Sequence, residues 1–232
     1  MKNKNAICVV SIGRDHLLQY SLPTIEHYGK KYNADVRVIK DSKWNFDKRN
    51  GYNYLTFEKY QAGDVLEEYE RVLRLDSDVI VSPSAPNLFD TDPNIIYATR
   101  EDVLDRRYDR LKQIHLVKQA MGNIPEWNDF YINGGVVLAS KKHKEIYTIK
   151  KEEVEEIYSK NLGPFKEQTF LNWRIRKNKF PVCDLGPRFN RMSMFKNVIK
   201  KEDAFIIHYA GSQLGKEEDM KNDFEKYFRG SL

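Results

Sequence analysis

The sequence predicts an α/β protein with a largely parallel sheet. Three observations carry this expectation. Short apolar runs rich in β-branched residues alternate with segments of helical spacing, the first run is continuously apolar rather than alternating, and turn residues separate the two kinds of segment. Strands joined by helices over most of a chain build a sheet with helices on its faces.

Residues 6–12, Ala-Ile-Cys-Val-Val-Ser-Ile, read as a first strand covered on both faces and bounded by Gly13. Its end and the loop after it, Ser11, Ile12 and Gly13, form a candidate nucleotide site. Leu17, Leu18, Leu22, Ile25 and Tyr28 follow near helical spacing, with Asp15 as N-cap and Pro23 as an interruption. Residues 36–39 give a second strand, and the polar, aromatic stretch 41–53 a loop. From Tyr54 onward Leu55, Phe57, Tyr60, Val65, Leu66 and Tyr69 mark another helix, despite Gly63. Lys59 lies in it and is either a solvated lysine or a ligand-facing one.

This helix leads into Arg71-Val-Leu-Arg-Leu-Asp-Ser-Asp-Val-Ile-Val-Ser-Pro83, around which the chain is organised. An apolar run ends in Asp76 and Asp78, two acids one residue apart at a strand end. Both carboxylates can reach one hard divalent cation, which takes oxygen ligands and can bridge phosphate oxygens. Asp-Ser-Asp is also ordinary turn chemistry.

Residues 94–99 form another strand, whose end carries Arg100-Glu101-Asp102. Residues 102–121 are charged and helical. Phe130-Tyr-Ile-Asn-Gly-Gly-Val-Val-Leu-Ala139 is strand-forming but broken by Asn133, Gly134 and Gly135, marking either a hairpin turn or a close approach by a ligand. Residues 141–160 and 165–177 are helical, 180–185 an edge-like strand, 204–211 an apolar strand containing His208 and ending at Gly211, and 216–228 a closing amphipathic helix.

Composition bounds the function. The 232 residues, 41% hydrophobic and 31% charged, suit one globular domain. A net charge of +5 suits a polyanionic small ligand, and no block of like charge is dense enough for nucleic acid. Cys8 and Cys183 sit in apolar segments without metal-ligand spacing and read as buried thiols. The N-terminal apolar run is too brief for a signal core or a membrane span, so a cytoplasmic location with at most peripheral membrane association is expected.

Four weak signals recur at element ends: Asp76 with Asp78, Asn133 with Gly135, Glu167 with Gln168, and His208 with Gly211. Imidazole and carboxylates together suit Mn²⁺ or Mg²⁺. The order of these motifs resembles that of the GT-A nucleotide-sugar glycosyltransferases, and within them the retaining family 8 enzymes that include glycogenin and bacterial lipopolysaccharide galactosyltransferases. The resemblance runs from Ala6 to Lys216. It rests on Thr56-Phe-Glu-Lys-Tyr60, the Leu75-Asp-Ser-Asp78 strand, Leu88-Phe-Asp90, and Phe130-Tyr-Ile-Asn-Gly-Gly-Val136.

The resemblance implies a Rossmann-like GT-A fold with a mixed, mainly parallel sheet and a single domain, its nucleotide-binding half at about 1–82 and its acceptor-side half at about 83–232. It implies Asp76, Asp78 and His208 as ligands to Mn²⁺ or Mg²⁺, and Gln168 with Glu167 beside the anomeric carbon. Lys59, Asp76, Ser77, Asp102, Asn133, Gly134, Gly135, Gly211 and Lys216 would bind the donor, of UDP-glucose or UDP-galactose type. The acceptor would be a glycan or glycoconjugate, and a homodimer is compatible. Two departures stand out. The family's Asp-Gln is Glu167-Gln168, and Lys216 comes two residues late with no Pro-Trp after it. An Asp-x-Asp phosphohydrolase and a non-catalytic nucleotide- or glycan-binding GT-A protein are the alternatives.

Overall fold

A computed structural model describes residues 3–44, 52–211 and 214–228. Strand β1 (Asn5–Val10) has Ala6, Ile7, Cys8 and Val9 fully buried, as its unbroken apolar run requires. It pairs in parallel with β2 (Ala34–Ile39) and with β3 (Arg71–Asp76). On its other side β3 runs antiparallel to β6 (Ile132–Ser140), which is antiparallel to β5 (Ile96–Arg100), and β5 carries the edge strand β7 (Val182–Asp184) in parallel. The order is β2-β1-β3-β6-β5-β7. The sheet is therefore mixed and mainly parallel, as expected. A second, two-stranded sheet pairs β4 (Val79–Val81) with β8 (Ile206–His208), antiparallel.

Alternation along the strands sends side chains to two apolar layers. Ala6, Cys8 and Val72 face Phe57, Tyr60, Phe170 and Trp173, whereas Ile7, Val9, Leu73 and Leu75 face Leu18, Ile25 and Tyr28. The helices supplying these layers are α1 (Asp15–Lys31), α2 (Ala62–Glu68), α3 (Arg107–Met121), α4 (Lys151–Ser159) and α5 (Lys166–Lys177), while α6 (Lys216–Tyr227) packs Met220 into a third cluster with Leu17, Ile80 and Ile207.

Several local expectations need correction. Pro23 does not interrupt α1, because the buried face of Leu17, Leu18, Ile25 and Tyr28 outweighs the roughly 3 kcal/mol that an interior proline costs. Asp15 is the first helical residue, not the cap, which is Arg14. The helix expected from Tyr54 is a 3₁₀ segment, Tyr52–Gln61, that passes into α2. The stretch 141–160 splits into a 3₁₀ segment, Lys141–Tyr147, and α4. Asn133-Gly134-Gly135 makes no hairpin and lies inside continuous β6. Cys183 is exposed, since edge strand β7 leaves its neighbours open to solvent, while Cys8 is buried. Of the loop expected at 41–53, residues 45–51 lie outside the described residues. Among the described residues no helix is long and apolar enough to cross a membrane.

Candidate active site

The site is built where the two sheets meet. Strand β3 ends at Asp76, the chain turns at Ser77 and Asp78, and β4 begins at Val79. Val79 pairs with His208 in the β4–β8 ladder, and the Tyr209 amide donates to the Asp78 carbonyl at 2.9 Å. This pairing brings His208 Nε2 to 3.4 Å from Asp78 Oδ1 and 3.6 Å from Asp76 Oδ2. One ligand atom from each of the three residues falls within 4.8 Å of the others.

These residues fit a divalent cation. Asp78 Oδ1 is buried, faces the imidazole and has no hydrogen-bond partner among the described residues. A buried carboxylate oxygen left unpaired is costly unless another group satisfies it. One imidazole nitrogen and two carboxylates form a donor set that suits Mn²⁺ as well as Mg²⁺.

Three cations surround the acids. Lys59 Nζ lies 2.8 Å from Asp76 Oδ2 and 4.0 Å from Glu167 Oε2, Arg74 Nη1 lies 3.1 Å from Asp76 Oδ1, and Lys216 Nζ lies 2.8 Å from Asp78 Oδ2. Burial opposes ionisation of Asp76, but Lys59 and Arg74 overcome it and hold the carboxyl below its usual range. Burial likewise opposes ionisation of Asp78, and His208 with Lys216 pulls it well below that range. Glu167 goes the other way: burial pushes it up, against the pull of Lys59 and Arg74.

Strand β6 closes the other side. A Cβ on Gly135 would fall 2.1 Å from His208 Cε1, so only glycine lets the ring lie against the strand. Gly134 donates its amide to Gln168 Oε1 at 2.9 Å, and Asn133 Nδ2 reaches the same oxygen at 3.1 Å. Gln168 Nε2 donates to Glu101 Oε2 at 2.6 Å, while Glu101 Oε1 accepts from Arg110 at 2.6 Å. The first turn of α5 thus fixes the Gln168 amide from both ends.

Asp102 is not brought to this cluster. It is fully buried and its oxygens accept from the Phe130 and Tyr131 amides and from Arg100, anchoring the entry to β6. Its neighbour Glu101 faces the cluster instead. Adjacent residues at a strand end point to opposite sides, and β5 changes register against β6 between Ala98 and Arg100.

A cleft beside the triad is lined by Val10, Ile12, Arg14, Leu55, Thr56, Lys59, Asp76 and Ser77. Of the three residues expected near a base, Ile12 lines it. Ser11 is buried beside β2, donating its amide to Ile39 at 2.8 Å, and Gly13 makes a left-handed turn with φ 67°. Gly211 is an exposed left-handed turn after β8, with φ 87°, and Lys216 opens α6. Sequence reasoning missed Glu101, Arg110, Arg74 and Asn190. Glu101 carried a visible signal as one of the acids in the strand-end run Arg100-Glu101-Asp102, and Arg74 carried one as a charge in an apolar strand.

A mixed sheet flanked by helices, with two carboxylates and an imidazole gathered beside a cleft, defines an α/β protein with a candidate cation-binding site. The sequence model of glycosyl transferase family 8 matches residues 4–213, and the chain belongs to that family. No curated protein matches the chain. Among solved structures it is similar to the galactosyltransferase LgtC in complex with donor and acceptor sugar analogs, at 18% identity and TM-score 0.65, over 98% of this chain and 100% of that one. It is also similar to a glycosyltransferase involved in glycosylation of the major capsid of PBCV-1, at 17% identity and TM-score 0.62, over 94% and 98%. The bifunctional glycosyltransferase WbbM aligns at 13% identity and TM-score 0.59, over 98% of this chain and 50% of its own.

Proposed function

We propose that this protein is a metal-dependent hexosyltransferase. It moves glucose or galactose from a UDP-sugar to a glycan, lipid-linked or protein acceptor, with retention of anomeric configuration. The observation that carries this reading is the triad Asp76, Asp78 and His208, beside a cleft that Asp76 lines, with an oxygen of Asp78 that has no hydrogen-bond partner among the described residues. The likeness to a galactosyltransferase with donor and acceptor analogs supports a hexose donor and a sugar acceptor. We place the protein in the cytoplasm as a single domain, acting on small nucleotide sugars rather than nucleic acid.

Asp76, Asp78 and His208 would hold a Mn²⁺ or Mg²⁺ ion, which would supply Lewis-acid stabilisation of negative charge on the diphosphate leaving group. The chain's own residues do the rest. Lys59 and Lys216, already gathered on the acids, add positive charge where the diphosphate develops negative charge. Ser77 lines the cleft, and by the family resemblance the Asn133-Gly134-Gly135 segment is assigned to the donor pocket.

By the family resemblance, Gln168 stands beside the anomeric carbon. Its Oε1 is occupied by two donors and an amide is a poor nucleophile. This arrangement favours attack by the acceptor hydroxyl on the same face as the leaving phosphate, with Gln168 stabilising positive charge on the sugar. Glu167, its carboxyl raised by burial, sits 4.0 Å from Lys59 as the neighbour that orients it. The test is Mn²⁺-dependent release of UDP across a panel of UDP-sugars, with glycan acceptors present. Release from a UDP-hexose is expected; silence with every donor would sink the proposal.

A further inference from the structure

Asn190 is fully buried and belongs to neither sheet, yet it touches the triad. Residues 188–191 lie alongside β8: the Arg191 amide donates to Ile206, the His208 amide donates to Arg191, and Arg191 bridges Ile207 in parallel. This pairing carries the Asn190 side chain to His208, where Oδ1 lies 2.8 Å from Nδ1. Its other end, Nδ2, lies 2.9 Å from Asn133 Oδ1.

The direction of every bond in this chain is fixed from its far end. The Gly135 amide can only donate, so the Asn133 atom 2.8 Å from it is the carbonyl oxygen. The opposite end of Asn133 faces the Glu101 carboxylate, at 3.3 Å, and Gln168 Oε1, both acceptors, which requires the NH₂ there. Asn133 Oδ1 then meets Asn190 as an acceptor, so Asn190 presents NH₂ to it and its carbonyl to His208. That carbonyl can only accept. His208 Nδ1 must therefore carry a proton, and Nε2, which faces Asp76 and Asp78, keeps its lone pair for a metal.

We propose that Asn190 is a positioning residue that relays the fixed polarity of the Gly135 backbone amide to His208 and holds it in its metal-binding tautomer. This deepens the metal-site reading above and rests on it. It differs from the usual arrangement, in which a ligating histidine leans on a carboxylate, a backbone carbonyl or water. Here the same pair of amides also touches the donor pocket through Asn133 and Gln168, so metal-ligand orientation and pocket geometry share one network. Without Asn190 the nearest acceptors are the carboxylates at 3.4 and 3.6 Å from Nε2, and they would draw the proton to the nitrogen that should bind metal.

The test is the ¹⁵N spectrum of the His208 ring in the metal-free full chain, recorded where the ring is neutral. In the unsubstituted protein Nδ1 is expected to be protonated and Nε2 bare. A protonated Nε2 with a bare Nδ1 overturns the relay, and this measurement needs no variant. In Asn190→Ala the pattern should invert, and Mn²⁺ affinity should fall about 10- to 100-fold. In Asn190→Asp the Nδ1 proton should return, since the carboxylate still accepts it. An Asn190→Ala protein, folded by circular dichroism, that keeps both the tautomer and the affinity also overturns the relay. Failure of the unsubstituted protein to bind Mn²⁺ at all would instead sink the metal-site reading, whatever the tautomer.

Discussion

Lys216 sets its ammonium 2.8 Å from Asp78 Oδ2, on the carboxylate whose other oxygen faces His208. The lysine thus stands where positive charge is needed before any metal or diphosphate arrives. Lys59 does the same on Asp76. The triad is charge-compensated by the chain itself, and a cation entering it alone must compete with the charge of a bonded ammonium on each acid.

Lys216→Met should therefore move two affinities in opposite directions. Mn²⁺ alone should bind several-fold more tightly, because its competitor is gone. UDP in the presence of Mn²⁺ should bind about tenfold more weakly, losing one charge-assisted contact of about 1.5–3 kcal/mol at most. Titration by electron paramagnetic resonance with and without UDP separates the two, and parallel changes would refute the exchange.

Asp78→Asn keeps the shape of the side chain but removes the charge that His208 and Lys216 hold ionised. Metal-dependent turnover should fall by about 10²–10³, the cost of losing one preorganised electrostatic partner. The thermal unfolding curve should remain cooperative. Ordinary Mn²⁺ dependence in the D78N enzyme would remove Asp78 from the site.

Gly135→Ala and Gly134→Ala make an internal comparison. The first puts a methyl 2.1 Å from the His208 ring and must push the imidazole aside, at about 1–3 kcal/mol of overpacking. The second meets only Arg74 Nη2 at 3.3 Å and the Gln168 side chain, whose Cγ lies at 3.6 Å. Mn²⁺ affinity should drop more than about tenfold in the first, the same factor that about 1.4 kcal/mol represents, and little in the second. Equal losses would contradict the packing described.

His143 offers a pH signature away from the site. It is fully buried; its Nδ1 accepts from the Ser140 amide, Nε2 lies 3.3 Å from the Asn94 carbonyl, and burial lowers its pKa to about 4. The unfolded chain takes up this proton near pH 6.5 and the folded chain only near 4. Its contribution to stability is therefore complete above about pH 6.5 and is lost as pH falls toward 4, by about 3 kcal/mol at most. Urea unfolding of His143→Gln should lack that part of the pH dependence; an unchanged dependence would rule His143 out.

Much of this molecule was legible in its sequence because strands and acids leave local patterns. The apolar runs placed β1, β3 and β8, and the order of Asp-x-Asp, Asn-Gly-Gly, Glu-Gln and His marked the residues that the fold gathers. What escaped depended on direction rather than type. Glu101 and Asp102 are adjacent acids, and only the register of β5 against β6 decides that one faces Gln168 and the other the backbone of Phe130 and Tyr131. Asn190 sits in no periodic pattern, and its role arises from pairing across 18 residues to His208. Cys183 shares the apolar look of Cys8, and although its stretch reads as edge-like the sequence predicts a buried thiol; an edge strand this short leaves it open to solvent.

The β4–β8 ladder makes the synthesis of β8 a condition for assembling the triad. On the ribosome, both acids of the triad are made well before the imidazole and the ammonium that answer them, which arrive only when β8 docks beside β4 and α6 begins. A chain lacking residues 206–216 would hold two adjacent carboxylates with neither of these partners. The fold thereby withholds the third ligand of the candidate cation site until β8 has docked.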